Sequence, residues 1–318
     1  MATIQKVNGI SESSIQKVNG IAKGSIEELN TNTFPTASFL LDTYTGATVA
    51  YSLRQLSSTA TNCITVVNSS GVGAIIGFSN GYVDTTAIAN HCGTGVGIIT
   101  RWYNQAGTDA DYDLLQSSTL AMPLVYDNGM NTINGKAAAT FDGSTDRLVS
   151  VGSETINNNG DWYAVCVVRP HTHHNGSILN QDDPNTATRV RVAQYLRTHA
   201  TSTATRSIIF NTAFAATAAS SPTFTANTQI MHSGVSDYNG STSATVQAFL
   251  NSTGGTVATR AGSPVSSAHQ WAIGSNVHGG TPGAYFDGDV WEVILWAGTQ
   301  SADQSAIETE IDTYYSIP

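Results

Sequence analysis

Charge is scarce in this chain. Lys, Arg, Asp and Glu together make up 11% of its 318 residues, and the formal net charge is -10. No basic stripe exists to neutralise phosphates, so nucleic acid is excluded as a partner. Cysteine is scarce too. Cys63, Cys92 and Cys166 are far apart and odd in number, which excludes a disulfide framework or a zinc pattern and predicts buried free thiols. No stretch approaches the roughly 18 apolar residues of a membrane span. The start, "MATIQKVNGI", lacks a basic segment followed by an apolar run, so no signal peptide and synthesis in a reducing cytoplasm are expected. "GTGVG" at 93–97 precedes a strand pattern rather than a helix, so it is not a nucleotide fingerprint.

What is abundant is Thr, Ser, Asn and Gly, the composition of a β-rich protein with many turns and a neutral polar surface. Residues 1–35 are set apart by a repeat: "IQKVNGI" occurs at 4–10 and again at 15–21, and a weaker echo, "SIEELN", starts at Ser25. Asn8-Gly9 and Asn19-Gly20 are tight-turn signals that resist a helix. So short a segment cannot bury enough surface to fold alone. Its apolar pegs Ile4, Val7, Ile10, Ile15, Val18 and Ile21 read as two equivalent grips on a partner.

From residue 36 the pattern is that of an all-β body with a first part at 36–130 and a second at 131–318. "ATVAYSLRQL", "CITVV" and "GIITRWYNQAG" read as strands, and "DTTAIANHC" reads as a short helix capped by Asp84. "DWYAVCVVRP" places Trp162, Ala164, Cys166 and Val168 on one face and Tyr163, Val165 and Val167 on the other. A strand apolar on both faces is sandwiched between layers. "AAATFDGSTDRLVS" reads as a hairpin turning at Asp142-Gly143. In "FDGDVWEV" a period of two puts Asp287 and Asp289 on one face and Glu292 on the other. The final "SADQSAIETEIDTYY" reads as a helix, with Ser301 and Gln304 as a capping box and Ile307, Ile311 and Tyr314 as its apolar stripe.

Three phrases in order, at 133–150, 161–183 and 285–304, resemble the concanavalin A-like or laminin G-like jelly roll. That resemblance implies an antiparallel jelly-roll sandwich with an extended N-terminal arm and a C-terminal helix. "AYSLRQL", "IGFSNGYVDTTAIANHCGTGVGIITRWYNQAG" and "INGKAAATFDG" are similar to the N-terminal half of the arabinofuranosidase B catalytic domain. The family's nucleophile lies in a stretch with adjacent cysteines, an Asp-Tyr-Gly-Asn-type phrase and a Glu. The matching stretch here, "GSILNQDDPNTATR", has neither a Cys pair nor a Glu. The same sequence style, including "KVNGI" segments, resembles structural proteins of bacteriophage virions.

Aromatic rings stack on sugar faces while polar neighbours bond the hydroxyls. Trp102 and Tyr103, at a strand end before "NQAG", are the expected surface glycan site, joined by the polar loop Asp182-Asp183. The remaining tryptophans, Trp162, Trp271, Trp291 and Trp296, are expected in the core. "HTHHN" at 171–175 reads as an exposed polar loop. No cofactor is expected, with calcium at an Asp-rich loop as the one candidate. These readings converge on a virion structural protein. Its 1–35 arm would hold a capsid or tail partner and its body would face host-surface glycan, in a homo-oligomer, a trimer by preference. The alternatives are a glycosidase of arabinofuranosidase type and a stand-alone carbohydrate-binding module.

Overall fold

The computed structural model describes residues 39–318 except 108, 155–160, 174, 183–194, 200–201, 211–215, 239–242, 262–268 and 279–280, and four short strands before them. Two compact units emerge, Met1–Ser38 and Phe39–Pro318. In the first, Lys6–Val7 pairs with Ile10–Ser11, placing Val7 opposite Ile10. Lys17–Val18 pairs with Ile21–Ala22 in the same register, Val18 opposite Ile21. Each pair brackets an Asn-Gly dipeptide, the spacing of a two-residue hairpin. Ile4, Ile15 and the echo after Ser25 lie outside the described residues.

The body is an all-β antiparallel sandwich. At its centre the Trp162–Pro170 strand pairs along its length with Asp287–Ala297. On one side follow Ile230–Tyr238, Ser243–Leu250 and Thr253–Ala261. On the other, Asp287–Ala297 pairs with Ala47–Ser52 and, at its start, with Ala139–Asp142. The second layer runs from Leu148–Glu154 through His269–Ile273, Ser177–Asp182, Tyr195–His199 and Ser202–Phe210 to Ala216–Thr223. Val96–Trp102 belongs to it through Leu114–Leu115 and carries Asn62–Asn68 and Gly73–Ser79 beyond. Leu124–Asp127 pairs with both Val96–Trp102 and Ala139–Asp142, so the layers form one network folded over on itself.

The alternation in "DWYAVCVVRP" divides the core as expected. Trp162, Ala164, Cys166 and Val168 enter the large cluster between the layers. Tyr163, Val165 and Val167 enter a second cluster, closed over by Leu40–Leu41 and the C-terminal helix Gln304–Tyr315. All five tryptophans and all three free cysteines are buried. The helix turns Ile307, Glu308, Ile311 and Tyr315 inward, an i, i+4 stripe. The expected capping box is replaced. The helix starts at Gln304, whose Nε2 donates to Glu308 Oε1 at 3.1 Å, and Asp303 stands at the N-cap without a side-chain bond. Buried Glu308 also accepts from Ser233 Oγ and Tyr163 OH at 2.6 and 3.2 Å.

Two strand readings are corrected. Ala139–Asp142 and Leu148–Glu154 pair with different partners, so "FDGSTD" is an arch between layers and not a hairpin turn. The Asp142 carboxylate shapes the arch by accepting the N–H groups of Ser144, Thr145 and Asp146. Gly143 sits at φ +72°, where a Cβ would meet Asp287 Cβ at 2.7 Å. The second correction concerns Glu292. Val168 faces Val290 while Val167 faces Glu292, so Trp291 is an extra residue in a β-bulge. The bulge resets the period of two and brings Glu292 to the same face as Asp289, against the helix.

Candidate functional site

The Val96–Trp102 strand sets the candidate site at its end. Trp102 lies opposite Ile64 and Leu114 and points into the core, with no exposed surface. Strand alternation thus removes Trp102 from the expected glycan surface, since its neighbours across both ladders are themselves core residues. Tyr103 follows the last paired residue, is half-buried, and turns outward. Its N–H donates to Cys63 O at 3.0 Å and its hydroxyl meets Thr65 Oγ1 at 3.2 Å. Its ring lies 4.7 Å beneath the Arg101 guanidinium.

These side chains border a cleft of about 260 Å³. Arg101 donates through Nε and Nη2 to Asp113 Oδ2 at 2.9 and 2.5 Å. The other carboxylate oxygen of Asp113 accepts the Asn104 N–H at 2.7 Å. Burial pushes the Asp113 carboxyl above the usual range, and the bonds from Asn104 and Arg101 only partly oppose it. Exposed Asp109 accepts the Asp111 N–H at 3.0 Å and so starts the one-turn 3-10 helix Ala110–Tyr112. Thr59, Thr61 and Asn62 line the facing wall.

"NQAG" holds the cleft in place. Ala47–Ser52 has a sheet partner along one edge, Asp287–Ala297, and Asn104 and Gln105 serve the other. Asn104 Oδ1 accepts the Ala50 N–H at 2.9 Å, and the Gln105 N–H donates to Ala50 O at 2.8 Å. Gln105 Nε2 donates to Ser52 O and Arg54 O at 2.8 and 3.1 Å, and its Oε1 accepts from Leu56 N–H at 2.7 Å. Two buried amide side chains thus stand in for a missing strand, because buried backbone groups need partners. They fix the backbone on which Tyr103 and Asp113 sit.

A second polar cluster lies where Trp162–Pro170 leaves the sheet. Asp289, fully buried, accepts from Arg169 Nε at 2.6 Å, Asn131 Nδ2 at 2.6 Å and Thr140 Oγ1 at 2.8 Å. His171 lies between it and Asp287, 3.0 Å from Asp289 Oδ2 and 3.1 Å from Asp287 Oδ1. Thr172 Oγ1 donates to Asp287 Oδ2 at 3.0 Å. His173 packs on the Phe224 ring, centroids 4.9 Å apart. Thr172 and His173 are exposed in a loop, as expected, while half-buried His171 fastens that loop to carboxylates some 115 residues away in sequence. Its acceptors are filled from within the chain. Among the described residues no group of three or more His, Cys, Asp or Glu is arranged to hold a metal ion.

Of the other expected site residues, Asp182 closes the Ser177–Asp182 strand opposite Gln270, apart from the residues that line the cleft. Asp183 lies outside the described residues. Val7, Ile10, Val18 and Ile21 occupy the paired short strands. Sequence reasoning found Tyr103 and missed Arg101, Asn104, Asp109 and Asp113. The signal was the acidic run "DADYD" at 109–113, five residues beyond the aromatic pair.

No protein-family model matches the chain, and no curated protein matches it. Solved structures do. A GH54 α-L-arabinofuranosidase soaked with a cyclic sulfate inhibitor aligns with TM-score 0.54 and 14% identity, over 83% of this chain and 62% of the other. An arabinofuranosidase complexed with arabinofuranosyl-α-1,2-xylobiose aligns with TM-score 0.52, 14% identity and the same shares. The body has the fold of these arabinofuranosidases. It is a concanavalin A-like jelly roll with a C-terminal helix, as the ordered sequence phrases imply. At this identity the likeness shows fold alone, and the chain spans under two thirds of the length of these arabinofuranosidases. A CBM40 of a Ruminococcus gnavus sialidase bound to α2,3-sialyllactose aligns with TM-score 0.39 at 12% identity, over 53% of this chain and 94% of the other, too low to carry an argument. No described helix is long and apolar enough to cross a membrane.

Proposed function

We propose that the body is a saccharide-binding jelly roll without hydrolase chemistry. The observation that carries this reading is the cleft at Tyr103. It combines a half-buried aromatic ring, held by Arg101, with hydroxyl, amide and carboxylate groups from Thr59, Thr61, Asn62 and Asp109. Apolar ring faces and convergent polar groups are what sugar recognition requires. A volume of about 260 Å³ suits a single sugar ring. Asp113 has both oxygens tied to Arg101 and Asn104, so it is not free to act as a nucleophile or proton donor. The lack of a Cys pair and Glu in 176–189 supports the same view. Saturable binding on a glycan array, abolished by Tyr103→Ala in a protein that still unfolds cooperatively, is the expected result. Turnover of a chromogenic arabinofuranoside would favour the glycosidase alternative.

The arm supports a second element of the reading. Two strand pairs of identical register, eleven residues apart, pair Val7 with Ile10 and Val18 with Ile21 and serve as two equal grips. Such a repeated unit suits equivalent grooves on a symmetric assembly, and a bacteriophage capsid or tail is the assembly proposed. Removing residues 1–35 should leave a folded, soluble body that no longer joins particles, and normal incorporation would refute this role.

A further inference from the structure

Resting on the saccharide reading of the cleft, we propose that it selects neutral, hydroxyl-rich sugars over sugars bearing carboxylate or sulfate. Asp113 sets that choice by holding Arg101. The cleft is lined by three charged side chains, Arg101, Asp113 and Asp109. An acidic sugar would be recognised by the in-plane N–H fork of a guanidinium. Here two of those donors, Nε and Nη2, are already committed to one oxygen of Asp113. The face of the guanidinium is also covered, because it lies over the Tyr103 ring.

With Arg101 and Asp113 cancelling, the remaining charge is Asp109. Its Oδ1 accepts the Asp111 N–H, and its Oδ2 carries no protein hydrogen bond among the described residues. An exposed carboxylate oxygen is a strong acceptor for sugar hydroxyls and repels a second anion. Discrimination thus comes from an attractive element and a repulsive one at the same mouth. Asp113 is a positioning residue here: Asp113→Asn retains an oxygen for the Asn104 N–H but removes the charge that holds the guanidinium.

The test uses the full chain, neutral galactose-, glucose- and arabinose-terminated oligosaccharides, and the same oligosaccharides capped with sialic or glucuronic acid. Wild type should bind at least one neutral probe about tenfold or more tighter than its acidic counterpart, a step of about 1.4 kcal/mol. Asp113→Asn should shrink or invert that ratio by gaining acidic binding. Arg101→Gln, which leaves Asp113 unpaired and the cleft more negative, should keep or widen it. A wild-type preference for the acidic probes overturns this inference and leaves saccharide binding standing. An unchanged ratio in Asp113→Asn, or gained acidic binding in Arg101→Gln, removes Asp113 from the selective role. Binding to no probe overturns the saccharide reading and this inference with it.

Discussion

Two arginine–carboxylate pairs in the body differ in what surrounds them. Arg54 and Glu292 meet beneath the C-terminal helix, with side-chain exposures of 6% and 0%. Arg54 donates through Nε and Nη2 at 2.6 and 2.9 Å, and Ser52 and Tyr315 hydroxyls fill the remaining capacity of Glu292 at 2.9 and 3.1 Å. The guanidinium also lies 4.5 Å from the Tyr314 ring centroid. Arg101 and Asp113 share the cation, the carboxylate and even a ring partner in Tyr103, but Arg101 is 31% exposed and faces a cleft. The same chemistry closed off by a helix is a fastening, and left open on one side it borders the cleft proposed for a saccharide. What distinguishes them is solvent access, which sets both the cost of breaking the pair and its availability.

The largest effect should follow breaking the closed pair. Arg54→Met leaves Glu292 buried without its cation, which costs about 3–5 kcal/mol. Urea unfolding should show that loss as a lower midpoint with an unchanged slope. Adding Glu292→Gln should recover more than half of it, because the amide keeps an acceptor for Ser52 and Tyr315 without a charge to neutralise. A loss below about 1 kcal/mol in the single variant would place this pair in the class of exposed ion pairs and dissolve the contrast.

Asp146 sharpens the comparison as a buried carboxylate with no Lys or Arg paired to it among the described residues. Its Oδ2 accepts the Asp142 N–H at 3.0 Å. Burial first, and the Asp142 charge second, push its carboxyl up to about 7. Although burial opposes it, the bonds from Ser144, Thr145 and Asp146 hold Asp142 well below the usual range. An unfolded Asp releases its proton near about 3.9. Between about pH 4 and pH 7 the folded state therefore binds more protons than the unfolded chain, and stability falls as pH rises. Asp146→Asn should remove the Asp146 share of that slope. It should raise stability at pH 8 by about 2 kcal/mol, a figure reduced for partial solvent screening, and change little at pH 4. Equal effects at both pH values would mean that the charge is not what Asp146 contributes.

The sandwich was legible because its signal is local. A strand such as "DWYAVCVVRP", apolar on both faces, has one place to go, between two layers. The helix signals at Asp84 and along Ile307 and Ile311 are equally local: Asp84 Oδ1 accepts the Ala87 N–H at 2.9 Å, and Tyr315 completes the buried stripe in place of the expected, half-buried Tyr314. What was not legible depends on residues far apart in the chain. The bulge at Trp291 arises from register against Trp162–Pro170, and no feature of "FDGDVWEV" announces it. The "FDGSTD" arch has the chemistry of a hairpin turn, yet its flanking strands find other partners. The aromatic pair stands at the strand end that borders the cleft, but only the Tyr103 ring lines it. One residue of alternation separates Trp102 in the core from Tyr103 in the cleft, and a strand's last paired position is the least certain part of its pattern. Arg101 and Asp113 are twelve residues apart, and their pairing requires the loop between them to fold back along Ala47–Ser52.

The smallest stability effect is expected at the open pair, and it bears on whether the cleft is free to work. Asp113→Asn keeps an oxygen near the Asn104 N–H, bonded at 2.7 Å to Asp113 Oδ1. The released Arg101 guanidinium, already 31% exposed, reaches water without rearrangement of the sheet. Exposed pairs contribute about 0–1 kcal/mol. Relief of the buried Asp113 charge, whose carboxyl is raised by burial, offsets part of even that. Asp113→Asn should therefore lose less than about 1 kcal/mol in urea unfolding while altering which sugars bind. A loss as large as that of Arg54→Met would mean that the cleft pair is a second fastening. Arg101 would then be needed for the fold, and the cleft could not exchange it for a ligand.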